Sequence, residues 1–379
     1  MGGQRGAGLP RGEDHLTGQD GDAVALPCPP GPGPRRVLLT GGAGFLGQLL
    51  QEALLAAGHR VVSVDVAANP GVHPRLSCIR GDIRDAGLLG DLAARHGFHT
   101  VFHVAALLAH AVSDRAELWS SNVDGTRVVA RTARDHGIAQ VVFTSSNCLW
   151  GTGLGRPVTE QDAPAPVEIY GRSKLAGERI LLDEYAGDFR TVVLRCPTIV
   201  EAGRLGLLAI LFEFVQEGRT VWTVGGGSNR YQFVAGGDLV AAFLAALDHP
   251  ATAVFGIGSD DVPTLREAYA EVIAAAGSSS RVGSLPRRLA VPAMRVAHRL
   301  RLSPLGPYQY RMIAQDFVFD TTAIKRELGW RPTLTNAQML VRAYRYFVDN
   351  AAEIRGRTGV SAHRRAADMG IIRVVKWLS

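Results

Sequence analysis

A chain of 379 residues with 46% hydrophobic content is long enough for one large α/β unit and a smaller second lobe. The net charge of +6 is mild, the basic residues are almost all arginine (lysine stands only at Lys174, Lys325 and Lys376), and no basic run interleaves with aromatics, which argues against a nucleic-acid partner. Cys28, Cys78, Cys148 and Cys196 have neither metal nor redox spacing, charge interrupts every apolar stretch before membrane-span length, and the N-terminus lacks the apolar core of a secretory signal, so a cytoplasmic protein with no metal and no membrane span is expected.

Residues 1–34, rich in glycine, proline and charge, read as a disordered leader. In RRVLLTGGAGFLG (35–47), Val37-Leu38-Leu39 has the pattern of a fully buried parallel strand, and QLLQEALLAAGH continues at helical spacing. Gly41, Gly44 and Gly47 stand between them at intervals of three. One glycine permits the tight turn, one lets backbone N–H groups approach a pyrophosphate, and one lets the helix pack close to the sheet, with its N-terminus favouring the anion. HRVVSVDV (59–66) is the next strand and ends at Asp65, where an acidic side chain would bind the adenosine ribose hydroxyls. No arginine or lysine follows at 66–68 to receive a 2′-phosphate, so NAD is expected rather than NADP. A third strand at 76–79 leads into GDIRD (81–85), which puts Asp82 and Ile83 at the adenine edge.

Further strands at 100–105, 140–145 and 190–195 alternate with helical segments. The fold class expected is α/β: a Rossmann-type doubly wound parallel sheet over 35–195, with a smaller, discontinuous α/β substrate lobe. That lobe takes most of 196–350, from which AVFGIGS (253–259) returns as a strand to the main sheet. The tail 351–379 is basic and amphipathic; docking on the body is expected ahead of contact with another subunit or with an anionic membrane. FTSSNCLWG (143–151) follows a strand and so lies at the carboxyl end of the sheet, where ligands bind. IYGRSKLAGERILL (169–182) reads as a helix that puts Tyr170 and Lys174 on one face. A phenol ionises near pH 10, so bringing Tyr170 to about 7 takes roughly 4 kcal/mol, which the Lys174 ammonium and a nicotinamide cation together could supply.

TGGAGFLG, GDIRD, VFHVAA (101–106), NVDGT (122–126), VVFTSS (141–146) and YGRSK (170–174) occur in the order and spacing of the extended short-chain dehydrogenase/reductase family. RYQFV…D (230–238) and FDTTAIKRELGWRP (319–332) are similar to that family's substrate-lobe segments. Over about residues 35–350 the chain resembles the NAD-dependent nucleotide-sugar epimerase/dehydratase branch. The resemblance places Phe45, Leu46, Ala105 and Ala106 along the cofactor together with Tyr170 and Lys174, and it puts the catalytic hydroxyl on Ser146. Ser145 should point to the other side of its strand, and His103 is expected to be a packed residue.

Several positions depart from the family pattern. Where sugar 4,6-dehydratases carry an Asp-Glu pair after the catalytic hydroxyl, this chain has Asn147 and Cys148. A thiol can serve as acid, and a thiolate as base, so Cys148 is either an acid/base in an elimination or a small packing residue, the second being preferred. Trp150 holds the place of a family tyrosine, and Tyr231 and Ala235 hold those of an arginine and a histidine. Arg230 and Arg311 are the candidates for binding substrate beside Ser146 and Asn147, with Arg195 and Arg204 as alternatives. The function expected is an epimerase or dehydratase acting through transient C4 oxidation, with the 4-epimerase type favoured. The alternatives are a dehydratase using Cys148, a steroid- or flavonol-type alcohol dehydrogenase, and an NAD-sensing binding protein. The substrate is then a nucleotide-linked sugar or related small alcohol, and a homodimer is expected.

Overall fold

The computed structural model describes residues 33–108, 114–300 and 307–356. Most of the expected leader, Cys28 and the tail beyond residue 356 lie outside the described residues. Among the described residues eleven strands run in chain order: β1 (Arg36–Thr40), β2 (Arg60–Asp65), β3 (Leu76–Arg80), β4 (Thr100–His103), β5 (Gln140–Ser146), β6 (Arg190–Cys196), β7 (Thr198–Val200), β8 (Val221–Val224), β9 (Phe233–Ala235), β10 (Ala253–Gly256) and β11 (Val282–Leu285). Seven form one parallel sheet in the order β10-β6-β5-β4-β1-β2-β3. The order reverses between β1 and β4, and there the carboxyl ends of the strands open a crevice.

Both faces of this sheet are covered, which is why its strands read as apolar runs rather than alternating ones. Val37, Leu39, Phe102, Val142 and Val192 point to one layer, with the helices Phe45–Ala56 and Gly236–Ala246. Leu38, Val64, Val101, Val141 and Phe143 point to the other, with Ala86–His96 and Gly125–Asp135. Each fully buried Val or Leu contributes roughly 1.5–3 kcal/mol. The fourth strand stops at His103 rather than 105, because the Ala105 N–H turns to donate to Thr40 Oγ1 (3.3 Å). The strand expected at 253–259 is β10, shorter than expected and paired parallel with β6 at the sheet edge.

The remaining strands pair as β7 with β9 and β8 with β11. The helices Leu208–Gln216, Leu265–Ala275 and Asn336–Asp349 enclose a separate core of Phe212, Val215, Val272, Leu340, Ala343 and Phe347. Among the described residues no helix is long and apolar enough to cross a membrane.

Candidate active site

The glycine loop leaves β1 at a sharp turn, with Gly41 at φ +78°. A Cβ there would lie 2.7 Å from the Ala105 backbone, and one at Gly47 would lie 2.1 Å from the Gly41 carbonyl oxygen. The loop therefore presses against the end of β4 on one side and the helix Phe45–Ala56 on the other. Gly42, which the spacing argument did not single out, is equally confined: its Cβ would strike Ser63 Oγ. Gly44 occupies the cap of that helix, with no side chain bonded to its first amides and no acid in its first turn. An uncapped N-terminus of this kind leaves N–H groups and a partial positive charge for a pyrophosphate. Phe45 and Leu46 begin the helix. Asp65 Oδ2 accepts from Ala43 N–H (3.0 Å) and Oδ1 from Ala67 N–H (2.9 Å), so the carboxylate stands at the loop. These residues fit a dinucleotide.

Beside this loop, after β3 and at the end of β4, stand Asp82, Ile83 and His103. Arg84 grips both oxygens of Asp82 (2.6–3.1 Å) and lowers the pKa of that carboxyl through these hydrogen bonds. Ile83 is buried in the core. His103 is enclosed between Thr40 Oγ1 (2.7 Å) and Thr126 Oγ1 (2.9 Å); burial first, and then Lys174, hold its pKa near 3, so the imidazole is neutral and packed.

At the carboxyl end of β5, Ser146 Oγ accepts from Cys148 N–H (3.1 Å) and so shapes the short turn Asn147–Leu149. Ser145, one residue earlier, has a buried hydroxyl with no partner among the described residues, and Cys196 Sγ donates to its carbonyl (3.3 Å). The helix Ile169–Arg179 lies directly on this turn: a Cβ at Gly171 would come within 2.1 Å of the Cys148 carbonyl oxygen. Glycine in a helix costs about 1 kcal/mol against alanine, and here it secures the close approach of the Tyr170 helix to the turn that follows Ser146 and carries Cys148. Lys174, 3% exposed, donates from Nζ to the Thr144 carbonyl (2.8 Å), on the strand that ends in Ser146.

Lys174 Nζ is turned to Thr144 and stands 6.0 Å from the centre of the Tyr170 ring. Burial pushes the phenol up, with Cys148 and Cys196 adding to the rise and Arg204 opposing it. Burial also lowers Lys174 to about 8.

The substrate end is a polar cluster of neutral groups. Asn147 Nδ2 donates to Tyr231 Oη (2.9 Å), which lies 3.1 Å from Thr198 Oγ1 and 3.3 Å from Tyr308 Oη. Behind it stand Leu149, Trp150, Met312, Phe317 and Phe319. Burial pushes the Cys148 thiol up to about 12. Of the four arginines, Arg195 is consumed by Glu178 in a buried bidentate pair (2.7 and 3.0 Å). Arg230 is exposed and donates to the Val262 carbonyl. Arg311 lies on the short helix Pro307–Met312, which also carries Tyr308. Arg204 donates to the Ile199 carbonyl (2.9 Å) and lies over the Phe45 ring (5.8 Å), between the cofactor helix and Tyr170.

Sequence reasoning missed Thr198, Tyr308 and Asn122 here. Tyr308 comes from a distant helix with no local signal. Asn122, inside the quoted NVDGT segment, bonds the backbone N–H and carbonyl of Leu107 (2.7 and 3.0 Å) and Ser173 Oγ (3.0 Å), which in turn donates to the Tyr170 carbonyl (2.8 Å). It ties the loop after β4 to the Tyr170 helix.

The sequence model of the NAD dependent epimerase/dehydratase family matches residues 37–258. A UDP-glucose 4-epimerase from Mycolicibacterium smegmatis is 30% identical, over 82% of this chain and 98% of its own. A 3 beta-hydroxysteroid dehydrogenase/Delta 5-->4-isomerase from Mycobacterium tuberculosis is 29% identical, over 83% and 90%. Among solved structures, the UDP-glucose 4-epimerase of Thermotoga maritima with UDP-glucose superposes with a TM-score of 0.67 at 23% identity, covering 83% of this chain and 99% of that one.

Proposed function

The chain belongs to the NAD-dependent epimerase/dehydratase family of extended short-chain dehydrogenases/reductases, and from that membership we propose that it interconverts a nucleotide-linked hexose and its C4 epimer through transient oxidation at C4. One arrangement carries the reading: Ser146, Tyr170 and Lys174 at the carboxyl end of β5, with Asn147 and Cys148 behind the serine instead of an acid pair.

NAD, when bound, supplies an acceptor for the C4 hydride and a donor to give it back. Ser146 Oγ holds the substrate O4. Tyr170 takes the O4 proton as general base and returns it to the alkoxide when the 4-keto sugar is reduced on its other face. Because burial raises the phenol, the phenolate depends on two positive charges, those of Lys174 and the nicotinamide ring. Asn147, Tyr231, Thr198 and Tyr308 present hydroxyl and amide groups suited to a hydroxylated ring. Elimination needs a base for the C5 proton, and a thiol raised to about 12 remains protonated at neutral pH, so Cys148 favours the epimerase over the dehydratase.

A second reading, net dehydrogenation of an apolar secondary alcohol, is favoured by one observation: Tyr231 stands where the family resemblance places an arginine, against a wall of Trp150, Phe317 and Phe319. Purified protein incubated with UDP-, dTDP- and GDP-hexoses and with apolar secondary alcohols decides between them. The first reading gives a C4 epimer by NMR and no net NADH; the second gives NADH in step with a ketone.

The reading includes a cytoplasmic homodimer. The free thiols Cys78, Cys148 and Cys196 support a reducing compartment. The exposed Trp119 and half-buried Leu175 stand with Arg172 and Arg179 beside the ion pairs of Arg127 with Glu184 and Asp124, a mixed face able to meet its own copy across a two-fold axis.

A further inference from the structure

The helix Arg287–Arg299 has an outer face that the proposed reaction does not use. Leu289, Val296 and Leu300 are 70%, 56% and 62% exposed, among the most exposed large apolar side chains described. Their intervals of seven and four bring them within about 40° of one another around the helix, at roughly 100° per residue. Arg288, Arg295 and Arg299 repeat the same intervals one residue earlier and are also exposed, so a row of guanidinium groups runs beside the apolar row. No acidic residue occurs between Pro286 and Leu300. None of the ion pairs among the described residues uses these three arginines. The opposite side is anchored: Ala290 is buried with Val224 and Ala314, and Val291 and Met294 pack with Leu285 and Ile313.

We propose that this helix lies on an anionic lipid surface, its apolar row among the acyl chains and its arginine row on the phosphates. Paired apolar and basic rows on one exposed helix face are what an interfacial helix requires. Charge decides between occupants. A second copy would bring arginine row against arginine row, and the chain's own segment 357–379, with Arg357, Arg364, Arg365, Arg373 and Lys376 against Asp368 alone, would add repulsion. A polyanion without acyl chains would leave the apolar row unburied. The helix also packs against Pro307–Met312, whose Tyr308 reaches Tyr231, so the docked surface adjoins the substrate end of the site.

The test is flotation of the full-length protein with vesicles of phosphatidylcholine alone and of phosphatidylcholine mixed with phosphatidylglycerol. Flotation with the anionic vesicles only, weakened by salt, is expected. The triple change R288Q/R295Q/R299Q should lower partitioning about a hundredfold, near fivefold per charge. L289S/V296S/L300S should abolish flotation. Both variants alter exposed side chains and should melt with the wild type. R364Q/R365Q/R373Q/K376Q should float as the wild type does. The proposal is overturned by a wild type that does not float, by flotation that survives either helix variant, or by flotation lost only in the tail variant. Loss of a concentration-dependent dimer in L289S/V296S/L300S would assign the face to a second copy and overturn it equally.

Discussion

Lys174→Met should make the cofactor-free protein more stable while destroying its activity. In the folded chain the Lys174 ammonium is buried, and its pKa falls from the ordinary 10.5 to about 8. That fall corresponds to a penalty of about 3 kcal/mol for folding with the charge in place. Methionine fills similar space without a charge but loses the bond from Nζ to the Thr144 carbonyl, a loss of roughly 1–2 kcal/mol. The net expectation at pH 7 is a gain of about 1–2 kcal/mol, or a rise in Tm of roughly 1–3 °C for a chain of this size. Below about pH 8 both the folded and unfolded wild type carry the proton, and the penalty is complete. Between about 8 and 10.5 the folded chain has shed a proton that the unfolded chain keeps, so the wild type gains stability with rising pH. Above that window the penalty is gone, and the wild type, still bonded to Thr144, should be the more stable of the two. Calorimetric scans of both stripped proteins from pH 7 to 10.5 read the difference directly. A variant less stable by a constant amount at every pH would refute the buried-ammonium reasoning.

The site makes three further predictions. Tyr170→Phe should bind NAD nearly as well as the wild type and lower turnover by orders of magnitude, checked by titration calorimetry beside steady-state rates; near-normal turnover would remove Tyr170 from the relay. Cys148→Ser should cost little activity, solvent deuterium should not enter C5 of the product, and the half-buried thiol, held protonated, should resist alkylation at pH 8; deuterium at C5 that disappears in the variant would assign Cys148 to an elimination. Gly47→Ala places a Cβ 2.1 Å from the Gly41 carbonyl oxygen and should reduce NAD affinity far more than stability, measured by NAD titration beside a thermal melt; unchanged affinity would contradict the cradle.

The sheet was legible because its strands are buried on both faces, and a run such as Gln140–Ser146 has no solvent-facing pattern to confuse it with an edge. Tyr170 and Lys174 were legible because one helical turn joins them. The end of β4 was misjudged by two residues, since nothing local tells Ala105 to bond Thr40 rather than continue the ladder. Side-chain partnerships across the fold were hidden for the same reason. Arg195 looks like a free cation until Glu178, 17 residues earlier, is seen to neutralise it. Tyr308 reaches Tyr231 across 77 residues, and Asn122 gains meaning only when Ser173 is placed beside it. Spacing likewise gives the proximity of Tyr170 to Lys174 but not the direction of the Lys174 Nζ, which the Thr144 carbonyl sets.

In the proposed reaction a hydride leaves C4 and returns to C4 within one site. The nucleotide-linked hexose that the panel identifies, deuterated at C4 and incubated with the purified NAD-loaded protein and an excess of free NAD, tests it directly. Its C4 epimer should retain deuterium at C4, with no deuterium in the free nicotinamide pool. Deuterium accumulating in free NADH beside a stable ketone, or recovered substrate with no C4 epimer, would contradict it.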